Sequence, residues 1–285
     1  MQGSVPESVQ RCTSAMVIDD LHMRIPRALR LLLGTAAALP AYPLLPAVPE
    51  LDGHDRLSRE KYAALPQHSP IRLRIRQFAE DFHTSLEPHR HEVSLKSDAH
   101  HLQPETILSA MFVEYARMQS FTFAEALRTR EGLRTGIKYG LLGLPGGEYV
   151  VETLLGKSVG YGNVHRATLE QALAHPYSPS TSMANGTHRE PTAAINSLCQ
   201  VLALHQQIWE RAGFPLYTYP FPAVRAQSDR VGLHITLYNI FDFAKRASAP
   251  HGDPKIGGSV IPALQMRFGD LAAIYAEQHA STFTL

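Results

Sequence analysis

The chain has 285 residues, enough for one large or two small domains with a sizeable core. Its 27 Lys and Arg residues balance 26 Asp and Glu residues, and the basic residues are spread along the chain, which argues against a nucleic-acid-binding surface. Two cysteines, Cys12 and Cys199, do not make a disulfide framework. Cys199 falls on the apolar face of a predicted helix and is expected in the core.

Residues 23–47 have the layout of a secretory signal peptide. Arg24, Arg27 and Arg30 precede a short apolar run over residues 31–39, and small residues follow it. The run is too short and too broken by proline to span a bilayer stably. We therefore predict that translation starts at Met23 and that the protein is periplasmic or secreted. The alternative is an ordinary Leu/Ala helix that ends at a proline.

The next segment, residues 48–101, combines a predicted amphipathic helix with a histidine-rich stretch. Apolar residues recur at helical spacing over residues 71–83, at Ile71, Leu73, Ile75, Phe78 and Phe82. Five histidines then occur between His83 and His101. They lack acidic or cysteine ligands at a recognisable spacing, so we predict solvated loop histidines and no metal site.

Residues 104–120 predict a helix that carries a carboxyl group on its apolar face. Pro104 suits a first helical position, and apolar residues recur from Ile107 onward. Glu114 follows Ile107 by seven residues, which is roughly 20° away around the helix, so its carboxyl group lies inside the apolar stripe. An ionised carboxylate there is costly unless it is paired. Glu114 is therefore either a structural ion-pair partner, for example of Arg117 or Arg134, or a protonated general acid.

A glycine-rich segment follows over residues 136–162. It includes a candidate strand at 148–155 and a second glycine-dense stretch, S-V-G-Y-G-N-V-H-R-A-T-L, from Ser158. Gly160 and Gly162 allow the backbone to approach a neighbouring strand or a ligand closely. Asn163 suits the N-cap of a helix over residues 165–174.

This order of motifs resembles the lysozyme-like superfamily, and it is most similar to the lytic transglycosylase and goose-type lysozyme branches. Those branches carry the catalytic Glu in the last turn of a helix, followed by a Ser-x-Gly-x-x-Gln motif. The resemblance maps the catalytic acid to Glu114 and substrate binding to Ser158, Gly160 and Asn163. Asn163 stands where the family usually has Gln.

Three further helices are predicted after residue 189. The first runs from about residue 190 to 212, the second from 231 to 247 and the last from 262 to 278. The transglycosylase branch has an A-x-Y-N-x-G segment in a late helix, with its tyrosine pointing at the catalytic acid. Tyr238 and Asn239 match this segment, whereas Phe241 replaces its glycine. The resemblance therefore adds Tyr238 to the catalytic residues and Asn239 to the substrate-binding residues.

The resemblance implies an α+β, mostly α, lysozyme-like fold with a small Gly-rich β-lobe. The domains expected are an N-terminal extension with a signal peptide (1–47), a helical and loop segment (48–101) and a catalytic domain (102–285). The implied activity is cleavage of peptidoglycan at the β-1,4 bond between N-acetylmuramic acid and N-acetylglucosamine. Lytic transglycosylase chemistry needs no second carboxylate, whereas a hydrolytic muramidase usually does. The candidates for that second carboxylate are Glu148, Glu152, Asp229 and Asp242.

Other functions stay open at the level of the sequence. The chain could be a non-catalytic wall-binding protein, or a secreted antibacterial or host-directed effector, and an inhibitor or immunity protein would then be a further partner. A Cys–His hydrolase using Cys199 is disfavoured, because this cysteine has no electropositive setting. No phosphate-binding loop or dinucleotide motif is present, so no cofactor and no metal are expected.

Overall fold

The computed structural model describes residues 57–119, 164, 166–178, 191–222, 224–239, 254–261 and 264–279. All of them belong to one compact unit, Ala47–Leu285. The predicted signal peptide, the candidate strand at 148–155 and the Gly-rich β-lobe lie outside the described residues.

The described part of the chain is mostly helical and contains one small antiparallel sheet, which confirms the α+β, mostly α class. In chain order the helices are α1 Arg59–Ala64, α2 Pro70–Leu86, a 3₁₀ turn Glu87–His89, α3 Arg90–His100, α4 Pro104–Gln119, α5 Arg166–Ala174, α6 Pro191–Arg211, α7 Gln227–Asn239 and α8 Phe268–His279. Strands β1 (Val260–Ile261) and β2 (Met266–Arg267) pair between α7 and α8. No helix in these ranges has both the length and the apolar character needed to cross a membrane.

Local sequence signals fix several helix ends. Ser69 caps α2 by accepting a hydrogen bond from the backbone N–H of Arg72 at 3.4 Å, and Pro70 follows it in the first turn. After the C-terminal end of α6, Gly213 has a φ of 86°, a left-handed conformation that glycine adopts without steric cost. The Phe214 N–H then donates to the Trp209 carbonyl at 2.9 Å and closes the helix end.

Helix α4 lies at the centre of the described helices. It contacts α2, α3, α6, α7 and α8. Side chains from every α-helix, from residue 62 to residue 276, join one hydrophobic core. Residues on both sides of the predicted boundary at 101/102 contribute to this core. The helices predicted around 71–83, 104–120, 165–174 and 190–212 are all present.

Helices α7 and α8 cross in close contact. A Cβ atom added to Gly232 of α7 would lie 2.6 Å from the carbonyl oxygen of Gly269 in α8, so the two backbones touch here. Thr236 stabilises the same crossing, because its hydroxyl donates to the Gly232 carbonyl at 2.8 Å and accepts from the Gly257 N–H at 2.9 Å. Gly232 and Gly269 therefore allow α7 and α8 to pack closely.

Two sequence-based expectations are wrong here. The histidine-rich stretch after His83 is helical instead of a loop, because Pro88 falls in the first turn of the 3₁₀ segment and buried Val93 anchors α3 in the core. The last helix begins at Phe268 and not at residue 262, since Met266 pairs with Ile261 in the small sheet. Helix α7 begins at Gln227, four residues before the predicted start at 231, and its predicted extension to 247 lies outside the described residues.

Candidate active site

Glu114 lies on the central helix α4, five residues before its C-terminal end. Only 4% of its surface is exposed, and the preceding residues Ala110 and Val113 are fully buried. The carboxyl group is therefore removed from water, as the helical spacing in the sequence predicts. A general acid needs the neutral form of such a carboxyl group, which burial favours, whereas an ion-pair partner favours the charged form.

Tyr238 and Asn239 lie in the last turn of α7, a helix that contacts α4. Tyr238 is 6% exposed, so it is a buried residue on a helix adjacent to the one that carries Glu114. The Oδ1 atom of Asn239 accepts a hydrogen bond from the Ser259 N–H at 2.7 Å. Asn239 therefore fixes the turn before β1, and its predicted contact with a substrate stays a prediction.

The remaining predicted substrate-binding residues, Ser158, Gly160 and Asn163, lie outside the described residues. The same is true of three candidates for a second carboxylate, Glu148, Glu152 and Asp242. Their predicted roles stay predictions.

Asp229, the fourth candidate, is engaged in holding the start of α7. Its Oδ2 atom accepts hydrogen bonds from the backbone N–H groups of Arg225 and Ala226, each at 2.8 Å. Its Oδ1 atom forms an ion pair with Arg59. Because both oxygens have partners and the residue is buried, Asp229 is a helix cap and not a free acid.

A buried chain of polar groups joins α4 to α6 and α7. The hydroxyl of Thr106, in the first turn of α4, contacts the hydroxyl of Tyr217, which contacts Nδ1 of His234 on α7 at 2.9 Å. The other ring nitrogen of His234 lies 2.9 Å from the carbonyl oxygen of Leu202 on α6. We call these four groups the Thr106–Leu202 chain.

The chemistry of the Thr106–Leu202 chain fixes its direction. A carbonyl oxygen only accepts, so Nε2 of His234 donates to Leu202. Burial lowers the pKa of His234 to about 4, so the ring is neutral at pH 7 and Nδ1 accepts from Tyr217. The Tyr217 oxygen then accepts from Thr106, and burial raises the pKa of this tyrosine well above its ordinary value.

Aromatic rings surround the C-terminal half of α4. The Phe112 ring stacks on Tyr275 of α8 with centroids 4.2 Å apart, and lies 5.7 Å from the ring of Phe82 on α2. The hydroxyl of Tyr275 meets Nε2 of His83 at 3.2 Å, and His279 packs 4.7 Å from the same tyrosine ring. The buried rings of Phe82, Phe112 and Tyr275 form an apolar wall beside the helix turn that precedes Glu114.

Burial also sets the ionisation of His83 and His279, which lie at the edge of this wall. It lowers the pKa of His279 to about 4, with the nearby His83 acting in the same direction. The pKa of His83 is lowered as well, first by burial and then by Arg90. Both rings are therefore neutral at pH 7. No cluster of three His, Cys, Asp or Glu side chains able to hold a metal occurs within the described ranges.

Cys199 is fully buried on α6, as the sequence predicts, and burial raises the pKa of its thiol to about 12. A thiol that stays protonated at neutral pH is a poor nucleophile. This observation argues further against a Cys–His hydrolase.

The Thr106–Leu202 chain was not predicted from the sequence. Its signal in the sequence is His234, a polar residue among the apolar residues Val231, Leu233 and Ile235. Comparison of the chain with protein-family models, with curated proteins and with solved structures finds no match.

Proposed function

We propose that this protein cleaves the glycan strands of peptidoglycan at the bond from N-acetylmuramic acid to N-acetylglucosamine, with Glu114 as general acid and then base. The observation that carries the proposal is the burial of Glu114 on the central helix, in the position that the lysozyme-like resemblance assigns to the catalytic acid. The proposal includes a lysozyme-like fold and a periplasmic or secreted location.

The Thr106–Leu202 chain supports a joint role for Glu114 and Tyr238. Thr106, Ala110 and Glu114 follow one another at four-residue intervals along one side of α4, and Tyr238 lies one turn after His234 on α7. The hydrogen-bond chain joins α4 at Thr106 to α7 at His234, and these are the two helices that carry the predicted catalytic residues. In the proposed mechanism, the Tyr238 hydroxyl orients the Glu114 carboxyl group.

We favour lytic transglycosylase chemistry over hydrolysis. Glu114 protonates the leaving glycosidic oxygen, and then accepts the proton of the muramic acid 6-hydroxyl as that oxygen closes a 1,6-anhydro ring. This sequence of steps uses one carboxyl group. A hydrolase would usually need a second one, and the engagement of Asp229 as a helix cap removes one candidate.

The test is a comparison of Glu114→Gln with wild type on purified peptidoglycan. Loss of a general acid reduces the rate by roughly 10²–10⁴-fold, so Glu114→Gln should release almost no soluble muropeptides. Glu105→Gln, in the first turn of the same helix, is the matched control and should retain activity. Circular dichroism should show both variants folded. Wild-type turnover by Glu114→Gln would refute the assignment.

Mass spectrometry of the wild-type products separates the two chemistries. Anhydro ends indicate a transglycosylase, and reducing ends indicate the muramidase alternative. Binding of glycan without any soluble product would favour a non-catalytic wall-binding protein.

A further inference from the structure

A cleft of about 240 Å³ lies where α1, the beginning of α2 and the end of α8 meet. It is lined by Tyr62, Gln67, Arg72, Arg76, Gln278 and His279. No Asp or Glu is among these lining residues, and His279 is neutral at pH 7, so the charge in the cleft comes from two guanidinium groups. We call it the arginine cleft.

Arg72 is held in a fixed orientation at this cleft. Its Nη2 atom donates to the carbonyl oxygens of Tyr62 and Ala63, each at 2.9 Å, and its guanidinium lies 4.6 Å from the Tyr62 ring centroid. Its Nε–H is buried and has no acceptor among the described residues. Because the Nε–H is buried and both Nη2 protons are used, Nη1 is the donor of Arg72 that remains for a ligand in the cleft.

Arg76 follows Arg72 by one helical turn on α2, so the two side chains lie on the same side of the helix. Arg76 is exposed and forms no ion pair with any residue of the described ranges. Glu277, next to the cleft residue Gln278, is paired with Arg59 at 3.2 Å. The positive charge of the cleft is therefore not compensated by this neighbouring carboxylate.

The opposite wall is held by a hydrogen bond between elements far apart in sequence. The side-chain amide of Gln278 on α8 donates to the Tyr62 hydroxyl on α1 at 3.0 Å. This contact leaves the second amide proton of Gln278, together with the Gln67 amide, as neutral donors beside the two arginines.

We propose that the arginine cleft binds an oxyanion group, either a carboxylate or a phosphate. Arg76 offers a forked pair of donors that matches the oxygens of such a group, Arg72 adds its charge and its Nη1 donor, and the amides add neutral hydrogen bonds. The inference is independent of the proposed peptidoglycan cleavage, because none of the lining residues belongs to the predicted active site.

The experiment follows the His279 ring by NMR in the full chain, with its signal assigned from a His279→Gln variant. Inorganic phosphate and acetate are titrated in separate arms, at constant pH and with chloride keeping the ionic strength constant. We expect a saturable shift of the His279 signal with at least one anion. The arm that saturates at lower concentration identifies a phosphate or a carboxylate as the preferred group.

Three variants locate the binding. Arg76→Gln should weaken binding by about tenfold or more, because a charge-assisted hydrogen bond is lost. Arg76→Lys should lie between Arg76→Gln and wild type, since it keeps the charge but not the fork. Arg225→Gln removes the same charge from an exposed arginine that does not line the cleft, and should stay within about twofold of wild type.

Two results would overturn the proposal. One is the absence of saturation with both anions up to about 100 mM, a concentration that would fill a site with a Kd of about 1 mM. The other is an equal loss of affinity in Arg76→Gln and Arg225→Gln, which would indicate only non-specific attraction to a basic surface.

Discussion

At its N-terminal half α4 is held by hydrogen bonds, whereas its C-terminal half is packed against aromatic rings. Thr106 enters the Thr106–Leu202 chain within the first turn. Phe112, less than two turns later, packs against the rings of Tyr275 and Phe82. The change occurs within six residues of one helix.

This difference separates two tasks that a buried acid requires. Hydrogen bonds are directional, so the Thr106–Leu202 chain fixes the position of α4 relative to α6 and α7. Ring packing is less directional but excludes water, so it sets the dry surroundings of the turn that leads to Glu114. In the proposed mechanism the polar half positions the acid and the aromatic half keeps it protonated.

Removing a ring from the aromatic half should have the largest effect on the free energy of unfolding. Phe112→Ala leaves a cavity in the core and should lower the free energy of unfolding by about 3–5 kcal/mol. Urea denaturation followed by circular dichroism measures this loss. Leu73→Ala on α2 is the control, because Leu73 is 45% exposed and its truncation should cost less than about 0.5 kcal/mol. A loss below about 1 kcal/mol in Phe112→Ala would contradict the role given to the ring wall.

Local periodicity was sufficient to predict that Glu114 is buried on α4. Spacing of apolar residues along 104–120 places Glu114 inside a buried stripe, and the structure has it 4% exposed. The same reasoning predicts α2 and α6, since both have one continuous apolar face. These predictions need only the geometry of one helix.

Features that join distant parts of the chain could not be predicted in this way. The Thr106–Leu202 chain depends on a contact between residues 106 and 217, and the arginine cleft brings α2 to the end of α8. The β1–β2 pairing likewise overrides the helical pattern of residues 262–267, with Gln265 in a left-handed conformation at φ 50°. No spacing within a single element encodes these contacts.

Lowering the pH should reduce the free energy of unfolding mainly through His234 of the polar half, and less through His279, which packs on Tyr275 at the aromatic half. The pKa of His234 is about 4 in the folded chain and about 6.5 when unfolded, so the unfolded state binds more protons between these values. The contribution of neutral His234 to the free energy of unfolding is therefore fully present above about pH 6.5. It falls as the pH drops towards 4, by up to about 3 kcal/mol. His279 has a similarly lowered pKa but is partly exposed, so solvent screening should make its contribution smaller.

Urea denaturation of wild type, His234→Gln and His279→Gln at pH 7.5 and pH 4.5 measures this difference. The stability gap between wild type and His234→Gln should narrow by about 2–3 kcal/mol at the lower pH, because the variant has no imidazole to protonate. For His279→Gln we expect a smaller narrowing. A gap that stays constant for His234→Gln would show that folding does not shift the pKa of this ring, so that burial does not hold it neutral.

Removing one hydroxyl from the polar half should have the smallest effect on the free energy of unfolding. Tyr217→Phe keeps the ring but leaves Thr106 and Nδ1 of His234 with one partner fewer, at a cost of about 1–2 kcal/mol. Tyr219→Phe, on the same loop, removes a hydroxyl outside the chain and is the matched control. Thermal and urea unfolding measure both variants.

A double-mutant cycle decides whether these groups act as one chain. If Thr106 and Tyr217 share a hydrogen bond, the first substitution in the cycle already breaks it, and adding Thr106→Val to Tyr217→Phe should cost less than Thr106→Val alone. Additive losses would mean that the two hydroxyls contribute separately, and that α4 is positioned by packing at both ends. The difference between the two halves of the helix would then lie in the type of side chain alone, and not in how each half is held.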